Sequence, residues 1–410
     1  MLFAFFLIVA LVLVPVWGVT CYLKWFSRYE LPQVNESHFP RAAVILAVRG
    51  ASPSLEDCLS RLVNQDYPRY QVFVVVDHPS DPASEVIQQW STRHPEAPLE
   101  ISYLNNPSSK AYLKTSAVLQ CIRTLEDDFG AIVLADADTL SYSRWLRDLV
   151  LPLMSDEVGL VTGNRWYDPT CVSLGGLVQF FYNSLCVPPM YFMGATWGGS
   201  LAIKRAVFQT RTFNEGSIES FSEEVIFQKA TFIAGLRLEI QPNVMILNRE
   251  TSTLASAFNF MKRQLLWTRL YHSAWMLLLV GNWVVNLCLT GFSIVGIYGL
   301  TVGNGILAFT LLGGLVLEIA SCQLLSEWLH RAIARRALRV QGTSYPAIDW
   351  PTRCRMMMVI PLAYVLFSYA MLAAAFARKV TWSGITYEVI PPANIRMKKY
   401  LPINETTETI

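Results

Sequence analysis

The sequence has few charged residues. Lys, Arg, Asp and Glu make up 16% of its 410 residues, against about 25% in an average soluble protein. Hydrophobic residues make up 53% and the mean hydropathy is +0.34. The formal net charge of +2 predicts no broad positive surface for nucleic acid. This balance indicates an integral membrane protein.

The sequence also lacks the motifs of several common site classes. Its eight cysteines form no CxxC pair, and no Cys/His cluster has the spacing of a zinc site. A chain of this length needs no disulfides for stability, so we expect reduced cysteines and a catalytic part that faces the cytoplasm. There is no GxGxxG after a predicted strand and no GxxxxGK[ST]. These absences argue against a Rossmann dehydrogenase and a P-loop ATPase.

The N-terminus has the character of a membrane anchor. Residues 1–23 are apolar and uncharged, and Lys24 and Arg28 follow them. About 20 apolar residues are enough to cross a bilayer as a helix. Because the positive charges follow the stretch rather than precede it, we predict a retained anchor and not a cleaved signal peptide. The same charges place the N-terminus outside and the next domain in the cytoplasm.

A second apolar region covers residues 273–378. Its candidate membrane spans, about three in number, are 275–299, 304–326 and 356–377. A basic loop, 330–355, should face the cytoplasm. If all three spans cross the membrane, the C-terminal tail, 379–410, lies outside, although its basic residues favour the cytoplasm. The side of the membrane on which the tail lies therefore stays open. The spans hold essentially one acid, Glu318, and no paired repeats of broken helices, which argues against a transporter.

Residues 40–272 have a different sequence pattern, in which short apolar runs alternate with polar stretches predicted to be helical. The expected strands are 42–48, 70–76, 99–104, 131–135 and 158–163, and the clearest helices are 55–65 and 81–93. Strands alternating with helices predict an α/β domain with a mainly parallel sheet covered on both faces. Ligands of such sheets bind beyond the carboxyl ends of the strands.

Acidic residues follow several of these predicted strands. Asp77 follows 70–76, Asp136 and Asp138 follow 131–135, and Glu223 and Glu224 open a predicted helix. A nucleotide-sugar enzyme needs a carboxylate near the base or ribose, one or two on Mg²⁺ or Mn²⁺, and one as general base. Each residue also has a simpler interpretation: Asp77 could cap a helix, the Asp136–Asp138 pair could be a chance DxD, and the Glu pair could be a solvated helix start.

The motifs occur in a characteristic order. They are AAVILAVRGASPSLEDCLSRLVNQDYPRYQVFVVVDHPSDPA, DAD at 136–138, VGLVTG, GATWGGSLAIKRAVF at 194–208, SEEV, KRQLLWTRL and TWSGITYEV at 381–389. Together they resemble the membrane-bound family 2 glycosyltransferases, most closely the ceramide glucosyltransferase-like branch. The resemblance runs through nearly the whole chain.

This resemblance implies a GT-A fold, a nucleotide-sugar donor with UDP expected, and an inverting single displacement. It implies that Asp138, with Asp136, serves the metal and the diphosphate, and that Glu224 is the catalytic base. The remaining donor-binding residues that it implies are Asp77, Lys114, Arg263 and Trp267. Lys114 would meet phosphate as a point charge.

Two positions depart from the family pattern. Glu224 stands where the family has Asp, and a shift of about 1 Å can cost on the order of 10²-fold in rate. Leu266 stands where the family's (Q/R)xxRW motif has the Arg that would help neutralise the leaving diphosphate. Arg269, three residues on, and Arg263 are candidates to replace it.

Other residues have two open interpretations. The turn Trp197-Gly198-Gly199-Ser200, with Glu223, could line the acceptor site or be a plain strand connection. The aromatic segment 180–193 could be core or a helix in the membrane interface. His272, at the predicted junction with the membrane region, is expected to be interfacial rather than catalytic.

We therefore expect an enzyme that moves a hexose from a nucleotide sugar to a hydroxyl group of a membrane lipid. A polysaccharide synthase, a polyprenyl-phosphate glycosyltransferase and a catalytically silent membrane scaffold are the alternatives. The missing Arg argues against a processive synthase, and the DAD pair argues against a silent relative, because adjacent carboxylates repel each other without a metal. A bacterial inner membrane is the expected location, with an internal eukaryotic membrane as the alternative.

Overall fold

The computed structural model describes residues 2–31, 38–170, 173–209, 222–249, 251–390 and 394–403. The chain divides into two compact units. The sheet unit comprises residues 30–165, 194–248 and 378–410, and the helical unit comprises 1–29, 166–193 and 249–377. Each unit is built from segments that are far apart in the sequence.

The sheet unit contains a seven-stranded sheet of order β3-β2-β1-β4-β6-β5-β7. Its strands are β1 Arg41–Val48, β2 Tyr70–Val76, β3 Leu99–Tyr103, β4 Phe129–Ala135, β5 Val158–Tyr167, β6 Ser200–Lys204 and β7 Arg237–Asn248. Strand β1 pairs in parallel with β2 and β4, β2 pairs in parallel with β3, and β6 pairs antiparallel with β4 and β5. The predicted α/β class with a mainly parallel sheet is confirmed.

The helices of this unit are α2 Leu55–Leu62, α3 Pro82–Arg93, α4 Leu113–Thr124, α5 Trp145–Val150 and α7 Glu223–Ile233. Helix α6, Leu174–Met193, belongs to the helical unit. The central strands are continuous apolar runs because helices cover both faces of a parallel sheet. Val44, Val74 and Val133 are fully buried in one large core with Leu59 and Trp145. This packing fixes the ends of β2 and β4, where the predicted acidic residues follow.

Strands β1 to β5 lie where the apolar runs predicted them, within a few residues. The sequence did not reveal β6 and β7. Strand β6 has only five residues and begins at the end of a Trp-Gly-Gly turn. Strand β7 carries Gln241, Pro242 and Asn243 at its centre and so has no continuous apolar run.

The C-terminal segment folds within the sheet unit. It forms a three-stranded antiparallel sheet of β8 Lys379–Trp382, β9 Ile385–Ile390 and β10 Asn394–Met397. Ile385, Tyr387 and Ile395 are buried, so this small sheet is packed rather than extended into solvent.

The helical unit consists of α1 Leu2–Arg28, α6 Leu174–Met193, α8 Leu254–Tyr271, α9 Trp275–Thr301, α10 Gly305–Gln341 and α11 Trp350–Ala375. By length and composition, α1, α9, α10 and α11 are candidate membrane spans. These helices cover the segments predicted as the anchor and the spans, and their crossing of a membrane stays a prediction.

Two boundaries differ from the sequence-based expectation. The basic segment predicted as the start of the loop 330–355 is helical, because α10 continues to Gln341 and ends at Gly342 with φ 65°. Its Arg336 donates to the main-chain oxygens of Phe26 and Tyr29 at the end of α1. These contacts stabilise the extra turns.

The second difference concerns the segment 166–193, which the sequence placed inside the soluble domain 40–272. Residues 166–193 and 249–272 group with the helices instead. Phe180 and Phe181 of α6 are buried, and the Tyr191 ring stacks on Trp25 of α1 with ring centroids 3.9 Å apart. Most of α6 packs against other helices, as the core interpretation expected, while Phe192 is exposed and the interpretation as a helix in the membrane interface stays a prediction.

Candidate active site

The site of the sheet unit lies at the carboxyl end of β4. Asp136 and Asp138 follow Ala135, the last residue of that strand. Ala135 pairs with Ser200, the first residue of the antiparallel strand β6. This pairing brings the turn that precedes β6 alongside the DAD segment, and Thr139 donates to the Gly199 main-chain oxygen at 3.1 Å.

Lys114 connects the acidic residues of the site. It is the second residue of α4, and its Nζ lies 2.6 Å from Asp136 Oδ1 and 2.9 Å from Glu223 Oε1. It also donates to the Gly198 main-chain oxygen at 3.3 Å. Burial lowers the pKa of Lys114, but the carboxylates of Asp136, Glu223 and Glu224 outweigh burial and raise it. Lys114 is therefore a permanent cation at the centre of the site.

Asp136 is neutralised by two cations. Besides Lys114, Arg165 of β5 lies 3.4 Å from Asp136 Oδ2. Burial raises the pKa of Asp136, but Lys114 and Arg165 together lower it. The Arg165 guanidinium also lies over the Trp197 ring, 4.6 Å from its centroid. Asp136 is thus ionised and held in place by its neighbours.

Asp138 differs from Asp136. Across the described ranges its carboxylate has no ion pair and no side-chain hydrogen bond. Burial and then the charge of Asp136 raise its pKa. A half-buried carboxylate that lacks a cation is suited to bind one.

The residues fit a divalent metal whose coordination the substrate completes. No group of three or more His, Cys, Asp or Glu side chains among the described residues could hold an ion by itself. Mg²⁺ and Mn²⁺ with nucleotides commonly take one or two carboxylates and fill the other positions with phosphate oxygens and water. Asp138 fits this role better than Asp136, whose oxygens already face Lys114 and Arg165.

The two glutamates at the start of α7 have different surroundings. Glu223 is buried, pairs with Lys114 and accepts a hydrogen bond from the Thr115 hydroxyl at 2.7 Å. The first residue of the pair is therefore not the solvated helix start that the sequence allowed. It positions Lys114 and has both oxygens occupied.

Glu224 is bound less tightly by its neighbours. Its Oε1 accepts from the Gly198 main-chain nitrogen at 3.1 Å, and the Ser222 hydroxyl donates to Oε2. Burial, followed by the charge of Glu223, raises the pKa of Glu224 to about 7, against the opposing effect of Lys114. A carboxyl group with a pKa near neutrality is well matched to accept a proton at physiological pH.

The turn before β6 requires its glycines. A Cβ at Gly198 would lie 2.5 Å from Glu224 Oε1, and a Cβ at Gly199 would overlap the Trp197 ring and Asp136 Oδ2. The fourth turn residue, Ser200, accepts from Trp145 Nε1 at 2.9 Å inside the core. The main chain of the turn therefore lies against Glu224 at Gly198 and against Asp136 at Gly199. The hydrogen bond of Ser200 holds the end of the turn in the core.

Asp77, at the end of β2, lies beside a residue that the sequence analysis missed. Arg49, which follows β1, forms an ion pair with Asp77 Oδ2. Burial raises the pKa of Asp77, and Arg49 opposes that effect. The helix-cap alternative for Asp77 does not apply, because Asp81 is the residue that caps α3. Arg49 could have been noticed in the sequence, since it follows a predicted strand as Asp77 does.

The (Q/R)xxRW-like residues lie on α8 in the helical unit. Leu266 is fully buried there, and the Arg263 guanidinium lies 5.8 Å from the centroid of Phe260. Arg269 donates to the main-chain oxygens of Ala374 and Ala377 at the end of α11. Arg269, the suggested replacement for the missing Arg, is therefore bound to carbonyl groups of its own unit.

Two further α8 residues have local partners. Trp267 lies with its ring centroid 6.5 Å from that of His272. His272 ends α8, and its Nε2 lies 3.2 Å from the main-chain oxygen of Met193. This contact lies within the helical unit, and the expectation that His272 is interfacial rather than catalytic stays a prediction. Trp267 keeps its predicted donor-binding role as a hypothesis.

Comparison with known proteins finds one family model that matches nearly the whole chain. The model of the family described as Glycosyl transferase family 21 matches residues 5–395. This is the family of the ceramide glucosyltransferases, so the resemblance to that branch is confirmed. The expected GT-A fold of family 2 is supported as well.

Individual relatives are more distant. Glycosyltransferase AglE of Haloferax volcanii is 28% identical over 131 residues, which are 31% of this chain and 40% of that protein. The mannosyltransferase PcManGT of Pyrobaculum calidifontis, solved with GDP-Man and Mn²⁺, is 18% identical with a TM-score of 0.48, covering 91% of this chain and 97% of that one. Glucosyl-3-phosphoglycerate synthase of Mycobacterium tuberculosis, solved with Mn²⁺, UDP and glucosyl-3-phosphoglycerate, is 13% identical with a TM-score of 0.37, covering 58% and 85%.

Proposed function

Because the chain belongs to glycosyl transferase family 21 and is a glycosyltransferase that uses a nucleotide-sugar donor, we propose the finer reaction as follows. It transfers a hexose from a UDP-sugar to a hydroxyl group of a membrane lipid, with inversion at the anomeric carbon. The reaction depends on a divalent metal held by Asp138. Glu224 is the general base.

The proposal is carried by the convergence of Asp138, Asp136 and Glu224 at the end of β4. Lys114 and the Gly198 main chain join Asp136 to Glu224 through the contacts given above, and Asp138 lies two residues after Asp136. Lys114 and Arg165 keep Asp136 ionised, and both cations lie beside the place proposed for the diphosphate. Mg²⁺ or Mn²⁺ supplies further charge that offsets the leaving diphosphate.

Glu224 performs the proton transfer in this mechanism. Its carboxylate accepts the proton of the acceptor hydroxyl while the hydroxyl oxygen bonds to the anomeric carbon. The bond from that carbon to the diphosphate oxygen breaks on the opposite face, and the electron pair leaves with the diphosphate. A single displacement of this kind inverts the configuration. Glu223 stays bound to Lys114 and Thr115, so it positions the cation and does not compete for the proton.

A lipid acceptor agrees with the helical unit. Four helices are long and apolar enough to cross a membrane, and their outer surfaces carry large exposed apolar side chains such as Phe309, Leu277 and Ile306. Exposed apolar surface of this extent is suited to lipid. An acceptor dissolved in the same bilayer would be delivered to a membrane-bound enzyme at high local concentration.

We further propose that the catalytic sheet and the C-terminal tail both face the cytoplasm. Arg49 donates to the main-chain oxygens of Ser383 and Leu401, and Tyr400 donates to that of Asp77. Hydrogen-bonded segments lie on one side of a membrane, so the chain between them must cross an even number of times. Of α9, α10 and α11, one helix therefore does not cross.

Helix α11 is the one that stays on the cytoplasmic side. At its start Arg353 Nε lies 3.2 Å from Glu327 Oε1 of α10, and at its end Ala374 and Ala377 accept from Arg269 of α8. Both ends therefore contact charged residues. The turn between α9 and α10 has no charged residue, whereas basic residues follow α1, end α10 and begin the tail. With three crossings, by α1, α9 and α10, all basic segments face the cytoplasm.

The reaction is tested by donor turnover in nanodiscs. Purified protein receives UDP-glucose, UDP-galactose, UDP-N-acetylglucosamine or GDP-mannose with Mn²⁺ or Mg²⁺, and nucleotide release is followed with and without mixed lipids. We expect lipid-stimulated release of UDP that Asp138→Asn and Glu224→Gln abolish. If no donor is turned over and no metal-dependent nucleotide binding occurs, the chain is a silent scaffold. If oligosaccharide forms in place of a glycolipid, the synthase alternative holds.

A further inference from the structure

We propose that the C-terminal segment, described at residues 379–390 and 394–403, holds Arg49 against Asp77 at the donor nucleotide site through the main-chain oxygens of Ser383 and Leu401. Arg49 is then a positioning residue for donor binding, and no site prediction from the sequence included it or the segment. The inference rests on the proposed function, because it assigns Asp77 to the nucleotide. It adds the polar network that orients that carboxylate.

Arg49 is bound by three acceptors from three parts of the chain. One guanidinium NH2 group, Nη1, pairs with Asp77 Oδ2, Nε donates to Ser383 O at 2.8 Å, and Nη2 donates to Leu401 O at 2.7 Å. The planar guanidinium can serve all three at once, which an ammonium group on a flexible stem does less well. Two of the three acceptors belong to the C-terminal segment, so Arg49 keeps this orientation only while the segment is in place.

The segment makes further hydrogen bonds to the same end of the sheet. Tyr400 donates to the Asp77 main-chain oxygen at 3.2 Å. The Tyr387 hydroxyl accepts from the Leu113 main-chain nitrogen at 3.3 Å, one residue before Lys114. The segment is thus bonded both beside Asp77 and at the first turn of α4, whose lysine reaches the DAD pair.

The turn between β8 and β9 is a two-residue hairpin loop. Its central residues, Ser383 and Gly384, have φ 46° and 75°, and a tight hairpin of this kind requires positive φ at both positions. The hairpin itself therefore explains the backbone conformation of Ser383. The turn presents the Ser383 main-chain oxygen to Arg49 Nε at 2.8 Å.

The arrangement determines which carboxylate oxygen is available. Asp77 Oδ2 is occupied by Arg49, while Oδ1 is buried and has no hydrogen-bond partner among the described residues. Buried polar atoms are normally paired, so an unpaired acceptor at the ligand edge of a sheet marks a place for a donor group of the ligand. An N–H of the base or a hydroxyl of the ribose has this chemistry. Without the segment, Arg49 loses two acceptors and Asp77 is free to rotate.

The test compares nucleotide affinity with turnover. Arg49→Lys keeps the positive charge but removes the planar guanidinium that contacts three acceptors at once. Tyr400→Phe removes the hydroxyl that donates to the Asp77 main-chain oxygen. The matched control is Thr381→Val, which removes an exposed hydroxyl that lies 3.1 Å from the Thr386 hydroxyl in the same small sheet. The measured quantities are Kd for UDP with Mn²⁺, KM for the donor, kcat and Tm, and hydrogen exchange of 379–403 with and without UDP.

We expect Arg49→Lys to raise Kd and KM about 10-fold and Tyr400→Phe about 3-fold, the range for lost hydrogen bonds, with kcat nearly unchanged. Thr381→Val should match the wild type, and UDP should slow exchange in 379–403. If both variants bind UDP as tightly as an active wild type, and UDP leaves exchange in the segment unchanged, the inference is overturned. Absence of UDP binding and turnover by the wild type would instead overturn the proposed function.

Discussion

Glu224→Gln should abolish the chemical step and leave donor binding intact. Removal of a general base typically costs about 10²- to 10⁴-fold in rate. The glutamine amide keeps the size of the side chain, and its oxygen can still accept from the Gly198 main-chain nitrogen, 3.1 Å away in the wild type. We therefore expect kcat to fall by that factor while Kd for UDP stays within about 2-fold, since no direct nucleotide contact is assigned to Glu224.

The pH profile provides an independent measurement of the same group. Burial and Glu223 raise the pKa of Glu224 to about 7. Because the base acts in its ionised form, kcat/KM should rise with pH through about 7, and at pH 6 it should be roughly one tenth of its value at pH 8. Glu223→Gln removes a neighbouring negative charge, which lowers the pKa of Glu224, so the acidic limb should move to lower pH.

Glu224→Asp is the matched variant, since it restores the residue that the family pattern has at this position. Its carboxylate is one methylene shorter, and a displacement of about 1 Å can cost on the order of 10²-fold. The assay is UDP release in nanodiscs between pH 5.5 and 9. A profile that is flat from pH 5.5 to 9 in the wild type, or a Glu224→Gln enzyme with more than half the wild-type kcat, would refute the assignment.

Three further predictions concern the metal, the turn and the topology. Asp138→Asn should remove the Mn²⁺ dependence of UDP binding measured by titration calorimetry, and equal affinity with Mn²⁺ and with EDTA in the wild type would contradict the metal role. Gly198→Ala should lower kcat by about 10-fold or more, because its Cβ would meet Glu224 Oε1 at 2.5 Å; an unchanged kcat with unchanged Tm would contradict that close approach. In a cysteine-free background, a membrane-impermeant maleimide should label Val302→Cys from outside intact cells and Thr381→Cys only after permeabilisation. Labelling of both positions from outside would show that α11 crosses.

The fold was largely readable in the sequence because its strongest signals are local. Continuous apolar runs marked β1 to β5, since a strand buried on both faces must be apolar along its whole length. Long apolar stretches marked α1, α9, α10 and α11, since a helix that crosses a bilayer needs about 20 predominantly apolar residues. Strand β7 escaped because Pro242 and its polar neighbours interrupt the run, and its pairing is decided by distant strands.

The sequence by itself determined where the acidic residues of the candidate site lie. Asp77, Asp136 and Asp138 follow apolar strands, so their placement at the ligand edge of the sheet is a consequence of strand position alone. The order of the motifs along the chain determined the family. Neither of these depends on knowing which side chains meet.

Only the tertiary structure decided how those residues differ from one another. Lys114 and Thr115, more than 100 residues away in sequence, bind Glu223 and leave Glu224 with a raised pKa. The C-terminal segment reaches Arg49 across more than 300 residues. Contacts of this kind depend on where the chain returns in space, and on the burial and charge found there. A single sequence does not encode such contacts in any local pattern.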